Sequence, residues 1–303
     1  MKKVLVTGAN GLLGQKLTTL ITSKNEFQLI ATGRGENRNP FTEGYRYEQM
    51  DITNAADVDR VINLVEPDYI INTAAMTNVD QCEEEKEACW AQNVKAVEYL
   101  VASSKNNKAF LLHLSTDFIF DGEDGPYLEE AKANPISYYG DSKLAGEEVL
   151  LKSDIEWAMA RTVLVYGVTA NMSRSNIILW VKKSIEDKKQ IQVVNDQWRT
   201  PTLAEDLAMG CYLIVKKRAT GIFNISGEKM LTPYDMAIKT ADYFKLDKSF
   251  ITETDGSKFQ QKAKRPPKTG FIIEKAKKEL GYQPTSFEEG IAVLDKQLLG
   301  MNN

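Results

Sequence analysis

One histidine, His113, and three cysteines, Cys82, Cys89 and Cys211, are all the imidazole and thiol side chains in 303 residues. No Cys-x-x-Cys pair occurs among them, so neither a zinc ribbon nor a disulfide scaffold is expected and no metal site is read. An odd number of thiols fits a reducing compartment. His113 lies inside an apolar run, where a packed, hydrogen-bonded imidazole is expected rather than an acid or a ligand. Nowhere do about 18 apolar residues follow one another, as a membrane span requires. The apolar stretch after Met1-Lys-Lys stops at Thr7-Gly8, too short for the core of a secretory signal. A basic stripe is missing too. The 38 basic and 42 acidic residues are mixed along the chain, with a formal charge of -4, which argues against nucleic acid and membrane as main partners. A cytoplasmic protein is expected.

The chain is organised around Val4-Leu-Val-Thr-Gly-Ala-Asn-Gly-Leu-Leu-Gly14. Its continuous aliphatic start reads as a strand buried on both faces. Gly8 allows a tight turn, Gly11 lets backbone approach a pyrophosphate, and Gly14 lets the next helix pack close on the strand. Leu13, Leu17, Leu20 and Ile21 repeat at helical spacing, and the unpaired amides opening that helix face a dinucleotide phosphate. Strand patterns follow at 27–32, 45–50, 69–72 and 109–114, with helices at 55–65 and about 84–104. This alternation predicts an α/β fold, a Rossmann-type doubly wound parallel sheet with a smaller C-terminal substrate-binding part. Residues 1–168 form the dinucleotide-binding part, which also receives about 200–226, and 169–303 are mainly substrate-binding. Helices at 177–189, 203–215 and from 287, with a strand at 221–225, are expected in this second half.

The end of the second strand bears on cofactor choice. An acidic residue there binds the ribose hydroxyls of NAD, whereas an arginine accommodates the 2'-phosphate of NADP. The sequence places Arg34 at the strand end and Arg38 shortly after, which favours NADP(H) over NAD(H); Glu36 between them is the carboxylate that would reverse this. Asp51, followed by Ile52, ends the third strand, placed either to meet the adenine amine or to cap the helix that follows.

Tyr139-Gly-Asp-Ser-Lys143 carries the candidate chemistry. Its Tyr and Lys are four residues apart and share a helix face. A lysine and a cationic nicotinamide beside the phenol are expected to lower its pKa from about 10. Ser115-Thr116 ends the 109–114 strand, where ligands bind in open α/β sheets, and Thr116 is placed to donate to a substrate carbonyl that Tyr139 protonates. Elsewhere, Lys262, Lys264, Arg265 and Lys268 form a local basic run, either a solvated loop or, at Arg265 beside two prolines, a diphosphate clamp. Trp198-Arg199 reads either as a stacking surface for a base or sugar or as a hydrophobic lid.

With these residues the chain resembles an extended short-chain dehydrogenase/reductase, over nearly its whole length. Within that superfamily it is similar to the dTDP-4-dehydrorhamnose reductase group through Ala74-Ala-Met-Thr-Asn-Val-Asp80, Ser115-Thr-Asp-Phe-Ile-Phe-Asp-Gly122, Tyr139-Gly-Asp-Ser-Lys-Leu-Ala-Gly-Glu147, Arg161-Thr162, Pro201-Thr202 and Arg265-Pro266. The resemblance implies Thr116, Tyr139 and Lys143 as the catalytic triad and Asn93 as support for a proton relay. It implies a cofactor held by Gly8, Asn10, Gly11, Leu12, Leu13, Gly14, Arg34, Asp51, Ile52, Ala74 and Ala75 together with Tyr139 and Lys143. A nucleotide-sugar substrate would meet Thr77, Asp117, Phe118, Arg199 and Arg265. Two positions depart from the group: Phe118 replaces a tyrosine, and Val163-Leu164 follows Arg161-Thr162 where a tryptophan is common. Losing a hydroxyl at a polar site changes substrate discrimination by orders of magnitude.

Three function classes follow. The first is an NADP(H)-dependent reductase of a 4-keto group on a nucleotide-linked deoxysugar. The second is an epimerase or dehydratase on the same scaffold; dehydratases usually carry an Asp-Glu pair here, and Phe118 follows Asp117 instead. The third is a non-catalytic cofactor-binding regulatory subunit, since the regulatory subunit of methionine adenosyltransferase resembles this group. The resemblance also implies a homodimer through helices at 84–104 and 138–151.

Overall fold

The computed structural model describes residues 1–170, 175–259 and 261–301. The first strand, β1 (Lys3–Thr7), has Val4, Leu5 and Val6 fully buried, as a strand covered on both faces requires. It leads through Gly8 into α1 (Leu12–Lys24), then β2 (Gln28–Gly33) and β3 (Arg46–Gln49). Asn54 caps α2 (Ala55–Val65), which ends at Glu66 in a left-handed conformation (φ 48°) before β4 (Tyr69–Asn72). These last two elements have the bounds that periodicity predicts.

The helix expected at about 84–104 is divided. A short α3 (Val79–Glu84) stops at Glu85, whose non-helical backbone (φ -114°, ψ 56°) separates it from α4 (Lys86–Trp90). From α4 the chain stays helical through a π turn at Ala91–Lys95 and on into α5 (Ala96–Asn107). The wide turn inserts an extra residue, which apolar spacing does not disclose. Then β5 (Phe110–Thr116) runs two residues beyond the expected strand, so Ser115 and Thr116 belong to it.

After α6 (Tyr138–Leu151) come β6 (Trp157–Thr162), β7 (Val165–Tyr166), α7 (Ile177–Glu186), β8 (Ile191–Val194) and β9 (Thr202–Leu203). The chain closes with α8 (Ala204–Lys217), β10 (Gly221–Asn224), α9 (Pro233–Tyr243), β11 (Ile251–Thr254) and α10 (Phe287–Met301).

Seven parallel strands form the central sheet in the order β10-β6-β5-β4-β1-β2-β3, with the order reversing beside β1. Alternate side chains feed two apolar layers. Val4, Val6, Ile71, Leu112 and Ala160 face one layer, and Leu5, Ile70, Leu111 and Met159 face the other. α8 packs on α1 in the first layer, so part of the second half of the chain completes the sheet and its cover. The remaining C-terminal elements have smaller cores. Tyr166, Ile178, Met236 and Ile291 centre one, and Val181, Ile191, Ala237 and Ile251 the other, where β8 pairs with β11.

Candidate active site

The β1–α1 turn is close-packed on one side and open on the other. Gly8 has φ +65°, and a Cβ there would lie 2.9 Å from the Ala74 amide nitrogen. A Cβ on Gly14 would lie 2.3 Å from the Gly8 carbonyl oxygen and 2.6 Å from Ala9 Cα, so α1 approaches β1 only because that position is glycine. Gly11 is exposed, and a Cβ there would meet only the Gly8 oxygen, at 3.3 Å. No side chain caps α1. Its first amides therefore open on a cleft of about 280 Å³, lined by Gly8, Asn10, Gly11, Arg34, Asp51, Ile52, Ala74 and Ala75 among others. Thr73 also lines it, as do Thr53 and Gln92, which were not expected to hold the cofactor. Leu12 and Leu13 are half-buried at the start of α1. A helix N-terminus without a capping side chain, bordered by backbone that tolerates no Cβ, fits the phosphates of a dinucleotide.

At the mouth of this cleft the loop after β2 is fixed by side chains. Asn10 Nδ2 donates to the Glu36 carbonyl (2.9 Å) and the Tyr47 hydroxyl (3.0 Å), and Asn10 Oδ1 accepts from the Arg38 amide (2.8 Å). Tyr47 donates in turn to the Gly35 carbonyl (2.9 Å). Arg34 and Arg38 both line the cleft, are exposed and make no ion pair among the described residues. Glu36 is exposed and is not among the lining residues. Asp51 does not cap α2, a role taken by Asn54; its Oδ1 accepts from the Thr53 amide (2.9 Å) and hydroxyl (2.7 Å) while the residue borders the cleft.

Thr116, Tyr139 and Lys143 gather beyond Ala75, at the end of β5 and on the buried face of α6, which Ser137 caps by accepting from Gly140 (3.2 Å). They are not part of the open cleft; all three are buried. Burial raises the Tyr139 phenol well above its ordinary value, against the lowering expected from the motif. The Thr116 hydroxyl offsets part of this, and the Asp117 charge adds to it. Lys143 is pushed down to about 8 by burial, with Glu147 and Cys89 opposing. Its Nζ donates to the Leu114 carbonyl (2.6 Å) and lies 3.4 Å from His113 Nε2.

Thr116 Oγ1 is 3.1 Å from Asp117 Oδ1 and accepts from the Phe118 amide (3.3 Å). A carboxylate only accepts, so the Thr116 proton is directed at Asp117 rather than outward to a carbonyl, as the motif suggested. Asp117 is buried, accepts from the Thr269 hydroxyl and lies 3.7 Å from Arg199 Nε; burial nonetheless raises its carboxyl. Phe118 is half-buried edge-on to Tyr139, ring centroids 5.6 Å apart.

Asn93, carried by the π turn, is fully engaged. Its Oδ1 accepts from the Met76 amide (2.9 Å), and its Nδ2 donates to the Met76 carbonyl (3.0 Å) and Ser142 Oγ (2.9 Å). It thus ties the β4 loop to α6.

The other residues expected to meet a sugar nucleotide lie where the C-terminal segment returns to the sheet. Arg199 is buried, its Nη2 donating to the Pro266 carbonyl (2.7 Å) and its guanidinium 5.9 Å from the centre of the Phe118 ring. Arg265 pairs with Asp80 through two bonds (3.1 and 2.7 Å), so it is neither a solvated basic residue nor an unpaired one. Thr77 is exposed on the β4 loop, and Trp198 is exposed beside Arg199. His113 is the packed, hydrogen-bonded residue expected, 1% exposed and bonded to Asn72.

Comparison with known proteins agrees with this architecture. The RmlD substrate binding domain model matches residues 1–299. A dTDP-4-dehydrorhamnose reductase of Aggregatibacter actinomycetemcomitans is 29% identical over 96% of this chain and 97% of its own. Methionine adenosyltransferase 2 subunit beta of Xenopus tropicalis is 31% identical over 82% of this chain and 74% of its own. The crystal structure of a dTDP-4-dehydrorhamnose reductase from Bacillus anthracis in complex with NADP superposes with a TM-score of 0.82 at 27% identity, covering 98% of this chain and 100% of that one. On the family match over residues 1–299 and the likeness to these relatives over nearly the whole chain, the chain belongs to the RmlD substrate binding domain family, within the dTDP-4-dehydrorhamnose reductase-like group.

Proposed function

We propose that this enzyme, an NAD(P)-dependent oxidoreductase of the dTDP-4-dehydrorhamnose reductase-like group, reduces the 4-keto group of a nucleotide-linked deoxysugar with NADPH. The observation that carries the proposal is the gathering of Thr116, Tyr139 and Lys143 at the β5 end of the sheet, next to a cleft over the uncapped start of α1. Residues 1–168, with 200–226, hold the cofactor on this reading, and most of 169–303 holds the sugar nucleotide. When bound, NADPH supplies the hydride that reaches the carbonyl carbon. Tyr139 donates its proton to the carbonyl oxygen; its raised pKa keeps that proton in place until the oxygen gains negative charge. Asp117 orients Thr116 against the phenol, and Lys143 holds the nicotinamide ribose. Arg34 and Arg38, which make no ion pair among the described residues, face the 2'-phosphate. Asp117, Phe118, Arg199, Arg265 and Thr77 border the sugar nucleotide. The helices α4–α5 and α6 form the contact of a homodimer, which light scattering at micromolar concentration tests.

The function is tested by titrating purified protein with NADPH and NADH, then adding a freshly generated dTDP-4-keto-6-deoxy sugar and following cofactor absorbance. Preferential NADPH binding with oxidation on addition of the sugar supports the proposal. Binding without oxidation across a panel of keto-sugar nucleotides would favour the second reading, a cofactor-binding regulatory subunit, which the 31% identity to methionine adenosyltransferase 2 subunit beta supports.

A further inference from the structure

Beside the candidate active site, the C-terminal segment 265–271 is threaded between the loop after β5 and residues 198–200. The Trp198 amide donates to the Pro267 carbonyl (2.7 Å), the Thr269 amide to the Trp198 carbonyl (3.0 Å), and the Tyr127 amide to the Gly270 carbonyl (2.8 Å). The Phe271 amide donates to Thr200 Oγ1 (3.2 Å). A Cβ on Gly122 would lie 2.8 Å from the Lys268 amide nitrogen, so the loop admits the segment only with glycine there. This threading delivers Thr269, fully buried, to Asp117.

Each carboxylate oxygen of Asp117 is met by one threonine. Oδ1 accepts from Thr116 Oγ1 (3.1 Å), and Oδ2 accepts from Thr269 Oγ1. The neighbouring guanidinium replaces neither bond. Arg199 Nε is 3.7 Å from Oδ2, while Nη1 and Nη2 donate to the Trp198 and Pro266 carbonyls (2.7 Å each). Arg199 therefore supplies charge, and Thr269 supplies the one side-chain hydrogen bond that Oδ2 accepts among the described residues. With Oδ2 occupied in this way, Oδ1 is left for the single proton of the Thr116 hydroxyl. The geometry points to Thr269 as a positioning residue that, by donating to Oδ2, keeps Asp117 an acceptor and so fixes the direction of the Thr116 hydroxyl. Thr116 is thus set by the same segment that carries Arg265. The inference deepens the reductase reading, on which the importance of Thr116 rests.

Charged and titratable groups face this carboxyl from three sides. Arg199 of the 198–200 segment favours the carboxylate, Arg265 of the C-terminal segment acts on Arg199, and Tyr139 of α6 is a neutral phenol. Burial favours the protonated acid, opposed by Arg199, Thr269 and Thr116 in that order. Without the Thr269 hydroxyl, Oδ2 is a buried acceptor that has lost its donor, so Asp117 takes up a proton more readily. A protonated carboxyl is itself a donor and no longer directs the Thr116 proton.

Carboxyl ¹³C titration of the full-length protein, labelled at aspartate Cγ and assigned through Asp117→Asn, tests this without turnover. In the unaltered protein Asp117 is expected to be a carboxylate at pH 7; a protonated carboxyl there would overturn the inference. Thr269→Val keeps the shape and removes the hydroxyl, and the Asp117 midpoint is expected to rise by about one unit, a tenfold gain in proton affinity. Thr269→Ser keeps the hydroxyl and should return the midpoint to that of the unaltered protein. An unmoved midpoint with valine, or a serine variant shifted as far as the valine one, would assign Thr269 to packing alone. With NADPH and a keto-sugar nucleotide, the acid limb of kcat/KM should move to higher pH with valine and return with serine. A limb that stays in place while the carboxyl moves would break the link to Thr116. Absent NADPH oxidation in every form, the unaltered protein included, would count against the reductase proposal, and the carboxyl titrations would still decide the role of Thr269.

Discussion

The two sides of the candidate active site treat their arginines in opposite ways. At the cofactor cleft Arg34 and Arg38 are exposed and make no ion pair among the described residues, and their loop is held by the neutral groups of Asn10 and Tyr47. On the sugar side Arg199 lies 3.7 Å from buried Asp117, and Arg265 is bonded twice to Asp80. An unpaired guanidinium gains a full set of charge-assisted bonds when a phosphate arrives. A paired one must exchange a partner, so its net gain is smaller. On the proposed function, the cofactor side is therefore ready to bind and the sugar side has to be rearranged.

The largest expected effect lies where the two sides meet. Replacing Tyr139 by Phe removes the proton donor and should reduce kcat by about 10² to 10⁴-fold, with NADPH affinity near normal by fluorescence titration. Retained turnover would remove Tyr139 as the sole acid. Arg34→Ala comes next. Loss of charge-assisted bonds, each worth about 1.5–3 kcal/mol, should weaken NADPH binding roughly 10 to 100-fold and leave NADH unchanged. Equal weakening of both cofactors would mean that Arg34 shapes the loop rather than reading the phosphate.

What could be read from the sequence follows the same division. The β1–Gly8–α1 unit, α2 and β4 are local patterns, and a local period suffices to place them and the cleft they border. The sugar side and the proton-bearing centre are made by contacts that no period encodes. Asp80 meets Arg265 across 185 residues, Thr269 reaches Asp117 across 152, and His113 meets Asn72 and Lys143 across 41 and 30. Asn93 was identifiable as a position by resemblance, but its grip on Met76 depends on the π turn, which interrupts the 3.6-residue spacing. The rise of the Tyr139 phenol in the chain alone was not legible for a related reason. A neighbouring lysine is visible in the sequence; the burial of the phenol that outweighs it is not.

Burial at the centre also gives stability a pH dependence of intermediate size. Lys143 binds its proton less readily in the folded chain, at about 8, than at its ordinary value of 10.5. Between those values the unfolded chain holds more protons, so stability rises with pH by at most about 1.4 kcal/mol per unit. Below about pH 8 the cost of burying the ammonium is fully present. The raised Tyr139 acts in the opposite sense, but only above its ordinary value of 10.0, whereas Cys89, lowered to about 7, adds to the rise below its ordinary 9.0 and Cys211, raised to about 12, opposes it above 9.0. The lysine's share is therefore the part of the change in urea stability between pH 8 and pH 9.5 that Lys143→Met removes; a rise of unchanged size in that variant would assign it to the thiols.

The smallest effect concerns the sugar-side pairing itself. Asp80 and Arg265 are partly exposed, with side chains 38% and 21% accessible, so their ion pair is worth roughly 0.2–1 kcal/mol. If Arg265 meets the substrate diphosphate, as proposed, it must give up Asp80 to do so, and Asp80 acts as a competitor. Asp80→Asn keeps the shape and the acceptor for the Ala263 amide (3.1 Å) while removing the charge. It should therefore lower KM for the sugar nucleotide by up to about fivefold, with kcat unchanged. An increase in KM would mean that the pair holds the 261–268 segment in place, so that the ordered segment, rather than the released guanidinium, is what receives the substrate.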